Sequence, residues 1–302
     1  MNIVLASDNN YVQHCCTTMT SILYNNKDVH IYLFTEGLSP KNEELLQKHV
    51  SSLGGTLSIC KVDSNVVQQF PMPKTQSAHI SIATYYRLFV DLVLPNNIDK
   101  AIYMDCDIIV KDSLDELYSM DINDAAIAAV YQNNEWALGN GAFERLNIPQ
   151  DYGYFNAGVL LINLKYWREN NVTDRLFAFI KEHYDKIRSH DQDTLNAVLY
   201  KEVIGVSNKW NYLPIFLLEA EFHFPKTVDY SIPVTPIVIH YVYTPKPWDY
   251  YCCHPYTNEY FKYLNMSPFK GWKPKWSFQV FWKHKLKPIM GRLLRLLRDR
   301  CA

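Results

Sequence analysis

The 302-residue chain has no glycine-rich phosphate loop: neither GxGxxG nor GxxxxGK[ST] follows its first strand-like segment, Asn2 to Ala6. That excludes a dinucleotide fingerprint and a Walker loop, so a bound nucleotide would have to be held another way. Long apolar runs are missing as well. The opening stretch "MNIVLASDNN" has no basic region and too few successive apolar residues for a signal peptide or a membrane span. Seven cysteines, including the vicinal pairs Cys15-Cys16 and Cys252-Cys253, are odd in number and irregular in spacing. They form neither a disulfide framework nor a zinc pattern, and a reducing compartment is expected. No internal repeat occurs, and no low-complexity linker before residue 266. Net charge is nearly absent: 30 Lys and Arg against 31 Asp and Glu give −1. The balance is uneven, because ten of those basic residues lie between Lys270 and Arg300, where Asp299 is the only acid. The body is therefore acidic and the end strongly basic.

What is present is an apolar fraction of 48%, enough for a large core in one big or two small α/β units. Strand patterns at 2–6, 28–35 ("DVHIYLFT") and 56–62 ("TLSICKV") alternate with helical ones. Val12, Cys15, Met19, Ile22 and Leu23 share one helix face; Ser39-Pro40 supplies an N-cap and first-turn proline, and Gly54-Gly55 a stop. Further on, 80–94 predicts a helix, 100–112, 125–131 and 153–164 strands, 172–188 a helix and 232–242 a late strand. Such alternation implies a mostly parallel sheet with helices on both faces and ligands at the carboxyl ends of its strands.

The segment "KAIYMDCDIIVKD" at 100–112 sets two aspartates inside an apolar run. Buried carboxylates need compensation. Positions two apart on a strand face the same way, so Asp105 and Asp107 are expected to point together and Cys106 oppositely. A divalent cation would compensate them; oxygen ligands suit Mg²⁺ or Mn²⁺, and an added imidazole favours Mn²⁺. A pair of strand-end caps or a salt-bridged pair is the alternative for this fragment.

Taken in order, "ASDNNYV" (6–12), "HISIATYYRL" (79–88), "YMDCDIIV" (103–110), "YFNAGVLLINL" (154–164), "HDQDTLN" (190–196) and "IHYVYTPKPW" (239–248) resemble glycosyltransferase family 8. The likeness covers roughly residues 1 to 250. It is nearest to the bacterial lipooligosaccharide and lipopolysaccharide α-galactosyl- and α-glucosyltransferases, and more distant from glycogenin. It implies an α/β, GT-A type, Rossmann-like domain with a mostly parallel mixed sheet, a UDP-glucose or UDP-galactose donor, Mn²⁺, and retention at the anomeric carbon.

By position, the resemblance makes Asp105, Asp107 and His240 the metal ligands. It places Ala6, Asp8, Asn10, Tyr11 and Cys106 around the nucleotide, and Lys246 on the diphosphate. Arg87, Asp91, Asn156, Ala157, Asp191 and Gln192 would form the sugar pocket, with Gln192 nearest the reactive face of the anomeric carbon and Asp191 binding hexose hydroxyls. His79 and Trp248 are acceptor-side candidates, and Trp210 and Tyr212 offer further stacking faces. One departure is Tyr243, which stands where the family usually has a glycine close to phosphate. From the residues alone, Asp8 reads equally as a helix cap, His240 as a core histidine, and Asp91 as an i, i+4 partner of Arg87.

The end, "WSFQVFWKHKLKPIMGRLLRLLRDR", carries Leu286, Ile289, Met290, Leu293 and Leu297 at helical spacing among Lys and Arg. It is too charged to span a bilayer and fits an interfacial amphipathic helix with aromatic anchors for anionic lipid. The expected division is therefore a catalytic domain at 1–265 and a membrane-association tail at 266–302. The expected place is the cytoplasmic face of the inner membrane, with a saccharide or glycolipid acceptor and no nucleic acid. Two other functions compete: a metal-dependent phosphatase of the haloacid dehalogenase type, for which no convincing downstream acidic motif is present, and a non-catalytic, membrane-bound saccharide-binding module.

Overall fold

The computed structural model describes residues 1–62, 82–132, 137, 139–214, 234–242, 245–250, 252, 254–276, 278–282, 286–287 and 289–290. His79 and Tyr243 lie outside them. Nine strands are described, in two sheets. Seven of them are β1 (Asn2–Ala6), β2 (His30–Thr35), β3 (Thr56–Lys61), β4 (Lys100–Met104), β6 (Ile127–Gln132), β7 (Tyr154–Asn163) and β8 (Val203–Gly205). They lie in the order β3-β2-β1-β4-β7-β6-β8. Neighbours run parallel except β7, which is antiparallel to both β4 and β6. The second sheet pairs β5 (Ile108–Val110) with β9 (Val238–His240), antiparallel. This is the mixed, mostly parallel α/β architecture expected.

Strand alternation sends side chains to two cores. Ile3, Leu5, Ile102 and Met104 pack with Cys15, Met19 and Ile22 of α1 (Val12–Asn25) and with Leu46 and Val50 of α2 (Pro40–Ser52). Val4, Ala101 and Tyr103 face the other core. There they meet Leu164 and Trp167 of α3 (Leu164–Glu169), Leu176 and Ile180 of α4 (Val172–His183), and Leu195 and Leu199 of α5 (His190–Leu199). Ser39 caps α2 by accepting from Asn42 N, with Pro40 in the first turn.

Several elements are shorter than the pattern predicts. The segment 80–94 begins, within the described residues, as a 3₁₀ helix at Ile82–Phe89 and is α-helical only over Val90–Val93, because Pro95 bars Leu94 from the helical region. The strand expected at 100–112 is two strands in different sheets. It ends at Met104, Asp105-Cys106-Asp107 form a turn, and β5 starts at Ile108. The paired aspartates are thus not strand residues on one pleated face. The turn is pinned from α1, where Thr18 Oγ1 donates to the carbonyls of Cys106 (3.0 Å) and Ile108 (2.8 Å). The helix expected at 172–188 closes at His183 in a 3₁₀ turn, and the late strand is confined to β9.

Past residue 265, the chain stays against the body for one further stretch. A helix at Thr257–Leu264 buries Tyr260, Tyr263 and Leu264 against Ile109, Ile239 and Tyr241, and Phe269 and Trp272 pack on that cluster. Trp276 and Phe278 are then 55% and 58% exposed. No helix among the described residues is long and apolar enough to cross a membrane.

Candidate active site

The carboxyl ends of β1 and β4 and the Asp105–Asp107 turn open onto a cleft of about 230 Å³. Ala6, Ser7, Asp8 and Tyr11 line one side of it, Thr84, Arg87 and Tyr103 another, and Asp105, Cys106 and Asp107 its floor. Two sheets bring His240 to this turn: it ends β9 opposite Ile108, while Asp105 N donates to Gly158 O of β7 at 2.9 Å. One ligand atom from each of Asp105, Asp107 and His240 falls within 4.8 Å of the others. His240 Nε2 stands 3.1 Å from Asp107 Oδ1 and 3.7 Å from Asp105 Oδ2.

The donor set fits a divalent cation, and one buried atom points to it. Asp107 Oδ1 is sealed from solvent and has no hydrogen-bond partner among the described residues. An orphaned carboxylate oxygen facing an imidazole nitrogen and a second carboxylate is costly unless a positive ion joins them. Burial acts to raise the Asp107 carboxyl, but the Lys246 ammonium, 2.5 Å from Oδ2, overrides it and holds the group well below the usual carboxylate range. Asp107 is therefore ionised and ready to bind metal.

Arg87 stands with Thr84 and Tyr103 on one side of the cleft. Its Nη2 donates to Asp105 Oδ1 at 2.6 Å, its Nε meets Asp191 Oδ2 at 2.8 Å, and its Nη1 donates to Ala157 O at 2.6 Å, while the guanidinium lies over the Tyr103 ring. The fully enclosed guanidinium is kept charged by its two carboxylates. Burial pushes the Asp191 carboxyl up to about 7 despite Arg87 beside it. Gln192 Oε1 accepts from Ala157 N and from Asn156 Nδ2, each at 3.1 Å. Asp193, fully buried, accepts from Tyr154 Oη, Arg145 Nη1 and the backbone N of Arg188 and Ser189. It thereby fixes the start of α5, where Asp191 and Gln192 sit.

The family model described as Glycosyl transferase family 8 matches residues 2–252. The chain belongs to glycosyltransferase family 8. It is 31% identical over 278 residues to General stress protein A of Bacillus subtilis, covering 88% of this chain and 94% of that protein. It is 25% identical over 280 residues to the lipopolysaccharide 1,2-glucosyltransferase of Escherichia coli K12, covering 91% of this chain and 80% of that one. Among solved structures, the galactosyltransferase LgtC in complex with donor and acceptor sugar analogs superposes with a TM-score of 0.80 at 25% identity, over 94% of this chain and 99% of LgtC. The fold is accordingly GT-A, and neither the phosphatase nor the saccharide-binding module is supported.

For a family 8 glycosyltransferase, the structure gathers most of the residues singled out in the sequence. Ala6, Asp8, Tyr11, Arg87, Asp105, Cys106 and Asp107 line one cleft, and Asn156, Ala157, Asp191 and Gln192 join it through Arg87. Asp8 also serves as a cap, with Oδ1 accepting from Asn10 N and Tyr11 N. Asn10 is exposed and is not among the lining residues. Lys246 does not line the cleft either; its ammonium is taken up by Asp107 and the carbonyls of Tyr241 and Val242. Asp91 stands apart, bonded to Thr173 Oγ1 and not to Arg87. Trp248 stacks on His14 at 3.8 Å and meets the edge of Tyr11, so it buttresses the Tyr11 side of the cleft. Trp210 is buried in the α1-side core.

Ser7, Thr84 and Tyr103 of the cleft lining escaped the sequence reading, as did Gly158, Asn211 and Gln132 beside it. A Cβ on Gly158 would lie 2.1 Å from His240 Cε1 and 2.9 Å from Asp105 Oδ2. A glycine inside a buried ten-residue strand is itself a sign of close approach. Asn211 and Gln132 carry no local pattern of that kind.

Proposed function

We propose that the protein is a retaining, Mn²⁺-dependent hexosyltransferase. It would move galactose or glucose from a UDP-sugar to a saccharide or glycolipid acceptor, in lipopolysaccharide or other cell-surface glycan synthesis at the cytoplasmic face of a membrane. The observation that carries this reading is the convergence of Asp105, Asp107 and His240 on one cleft with Arg87 and Gln192 behind them. The similarity to a lipopolysaccharide 1,2-glucosyltransferase and to the galactosyltransferase LgtC supports the choice of hexose and acceptor class.

In this reading Tyr11, Asp8, Ala6 and Asn10 hold uracil and ribose, with Cys106 tying the turn to β1 through a bond from its Sγ to Ala6 O. A cation on Asp105, Asp107 and His240 supplies Lewis-acid neutralisation of the leaving diphosphate. Lys246 gives up one of its present acceptors and turns its ammonium to the same charge. Arg87, held by two carboxylates and a carbonyl, orients the donor, and Asp191 receives hexose hydroxyls.

Gln192 is a poor nucleophile on two counts. It is an amide, and its oxygen already accepts two hydrogen bonds. A front-face reaction follows. The acceptor hydroxyl attacks from the side that UDP leaves, its proton passes to a diphosphate oxygen, and the fixed Gln192 dipole offsets charge developing at the anomeric carbon. The acceptor-side assignment of Trp248 and His79 is carried by the family resemblance. The exposed Trp276, Phe278 and Trp282, next to the basic end, form the membrane-facing part.

A panel of UDP-sugars assayed for UDP release with Mn²⁺, Mg²⁺ or chelator tests this reading. Release with UDP-galactose or UDP-glucose that requires Mn²⁺, and an α-linked product by NMR, is expected. Metal-independent release or an inverted product would refute it.

A further inference from the structure

Three buried amides, the half-buried amide of Gln192 and an imidazole form one hydrogen-bonded line across the site. His240 Nδ1 lies 2.9 Å from Asn211 Oδ1, Asn211 Nδ2 lies 2.8 Å from Asn156 Oδ1, and Asn156 Nδ2 lies 3.1 Å from Gln192 Oε1. Gln192 Nε2 continues it to Gln132 Oε1 at 3.3 Å. Two backbone groups fix its direction. Gly158 N–H and Ala157 N–H can only donate, and they donate to Asn156 Oδ1 at 2.9 Å and Gln192 Oε1 at 3.1 Å. Those atoms are therefore the oxygens, which makes Asn211 Nδ2 a donor and leaves Asn211 Oδ1 as the acceptor facing His240. His240 must carry its proton on Nδ1.

This is the tautomer that the nearest carboxylate opposes. With Nε2 only 3.1 Å from Asp107 Oδ1, the ring on its own would place its proton on Nε2 and satisfy that oxygen. The line of amides holds the proton of the neutral ring at Nδ1, so Nε2 turns a lone pair and not a donor toward Asp107 Oδ1, an oxygen with no hydrogen-bond partner among the described residues. We propose that Asn211 is a positioning residue. It holds His240 as the Nδ1–H tautomer, keeps the Nε2 lone pair aimed between Asp105 and Asp107 for a cation, and joins that ring through Asn156 to Gln192. The inference rests on the metal reading above. It adds that the site is kept from closing on itself, by a residue on the loop after β8 that touches neither carboxylate. Asn211 is fully buried, so both ends of its amide must be satisfied inside the protein, and the two partners named satisfy them.

The test uses the full chain labelled with ¹⁵N-histidine, free of metal, at a pH where imidazole is neutral, with the His240 signals assigned by their loss in His240→Ala. The expected wild-type spectrum shows Nδ1 protonated and Nε2 unprotonated. In Asn211→Leu the proton moves to Nε2. Titration of free Mn²⁺ followed by electron paramagnetic resonance should then show an apparent Kd weaker by about 10- to 100-fold. Asn211→Ala is measured beside it, and the wild-type spectrum needs neither variant to fold. An Nε2–H ring in the wild type overturns the proposal, as does an unchanged tautomer or unchanged Mn²⁺ affinity in a folded Asn211 variant. If the wild type takes up no Mn²⁺ at all, the metal reading fails, while the tautomer still decides the role of Asn211.

Discussion

Gly158 and His240 touch so closely that a single added carbon on the first would sit 2.1 Å from the second. Strand β7 and the end of β9 meet across the cleft only because position 158 has no side chain. Gly158→Ala should therefore displace the His240 ring by about an ångström, with an activity loss on the order of 100-fold and a stability cost of about 1–3 kcal/mol. Steady-state UDP release together with thermal unfolding checks both. Near-normal turnover in the variant would mean that His240 moves aside without consequence, and hence that it is no metal ligand.

The two aspartates differ in what their loss leaves behind. Asp105→Asn leaves Arg87 its second carboxylate, Asp191, at 2.8 Å, whereas Asp107→Asn leaves the Lys246 ammonium with backbone carbonyls only. Both substitutions should abolish metal-dependent turnover. In chelator, Asp107→Asn should be the less stable by about 2 kcal/mol, a charge-assisted bond's worth. Equal unfolding midpoints would contradict this.

Gln192→Ala should lower kcat by about 100-fold with a smaller change in donor KM, because its dipole acts on charge present only in the transition state. Asp191→Ala should damage both constants. A Gln192 variant altered in KM alone would place that side chain away from the reacting carbon.

Asp191 gives the metal-free protein a pH signature. Its carboxyl is pushed up from the ordinary carboxylate range to about 7 in the folded chain, chiefly by burial. The native state thus holds this proton more tightly than the unfolded one. The stability it contributes is fully present below about pH 4 and is lost as pH rises through 7. Asn cannot titrate, so the unfolding midpoint of Asp191→Asn should gain on that of the wild type between pH 5 and pH 8. A constant difference would show that Arg87 keeps the carboxylate ionised throughout.

For the basic end, the packing of Phe269 and Trp272 on the body moves the useful truncation point past Trp276. Deleting 277–302 should reduce sedimentation with anionic vesicles, since each Lys or Arg near such a surface is worth about 1 kcal/mol, while preserving UDP release. Salt should weaken binding of the intact chain. Equal binding by both forms, or to neutral and anionic vesicles alike, would reject a membrane role.

Much of the framework was legible because it is local. Short continuous apolar runs in Asn2–Ala6 and His30–Thr35 mark buried strands, and Ser39-Pro40 marks a helix start. The convergence of Asp105 with Asp107 was also legible, though for the wrong geometric reason: a turn between two sheets, and not a pleat, brings them together. Where the turn falls was hidden, since Ile108, Ile109 and Val110 continue the apolar pattern of β4 without a break. That Lys246 would meet Asp107 was not legible, because a sequence does not tell which charge a flexible ammonium finds when no substrate is bound. The amide line could not have been foreseen. Gln132, Asn156, Gln192 and Asn211 come from four separate elements, and common polar residues acquire their meaning only when the fold buries them side by side.

The chain leaves the large sheet at Met104 and enters the small one at Ile108, so the metal-binding turn is also the joint between the two. Asp105 is fastened to the large sheet through Gly158 O, while Asp107 O accepts from Tyr241 N and His240 belongs to the small sheet. An ion held by all three would act as a rivet through that joint. The small sheet in turn carries the helix at Thr257–Leu264 and, beyond it, the exposed aromatic end. Such an ion would tie the sheet that carries the C-terminal segment to the large sheet through the three residues of the turn, Asp105, Cys106 and Asp107.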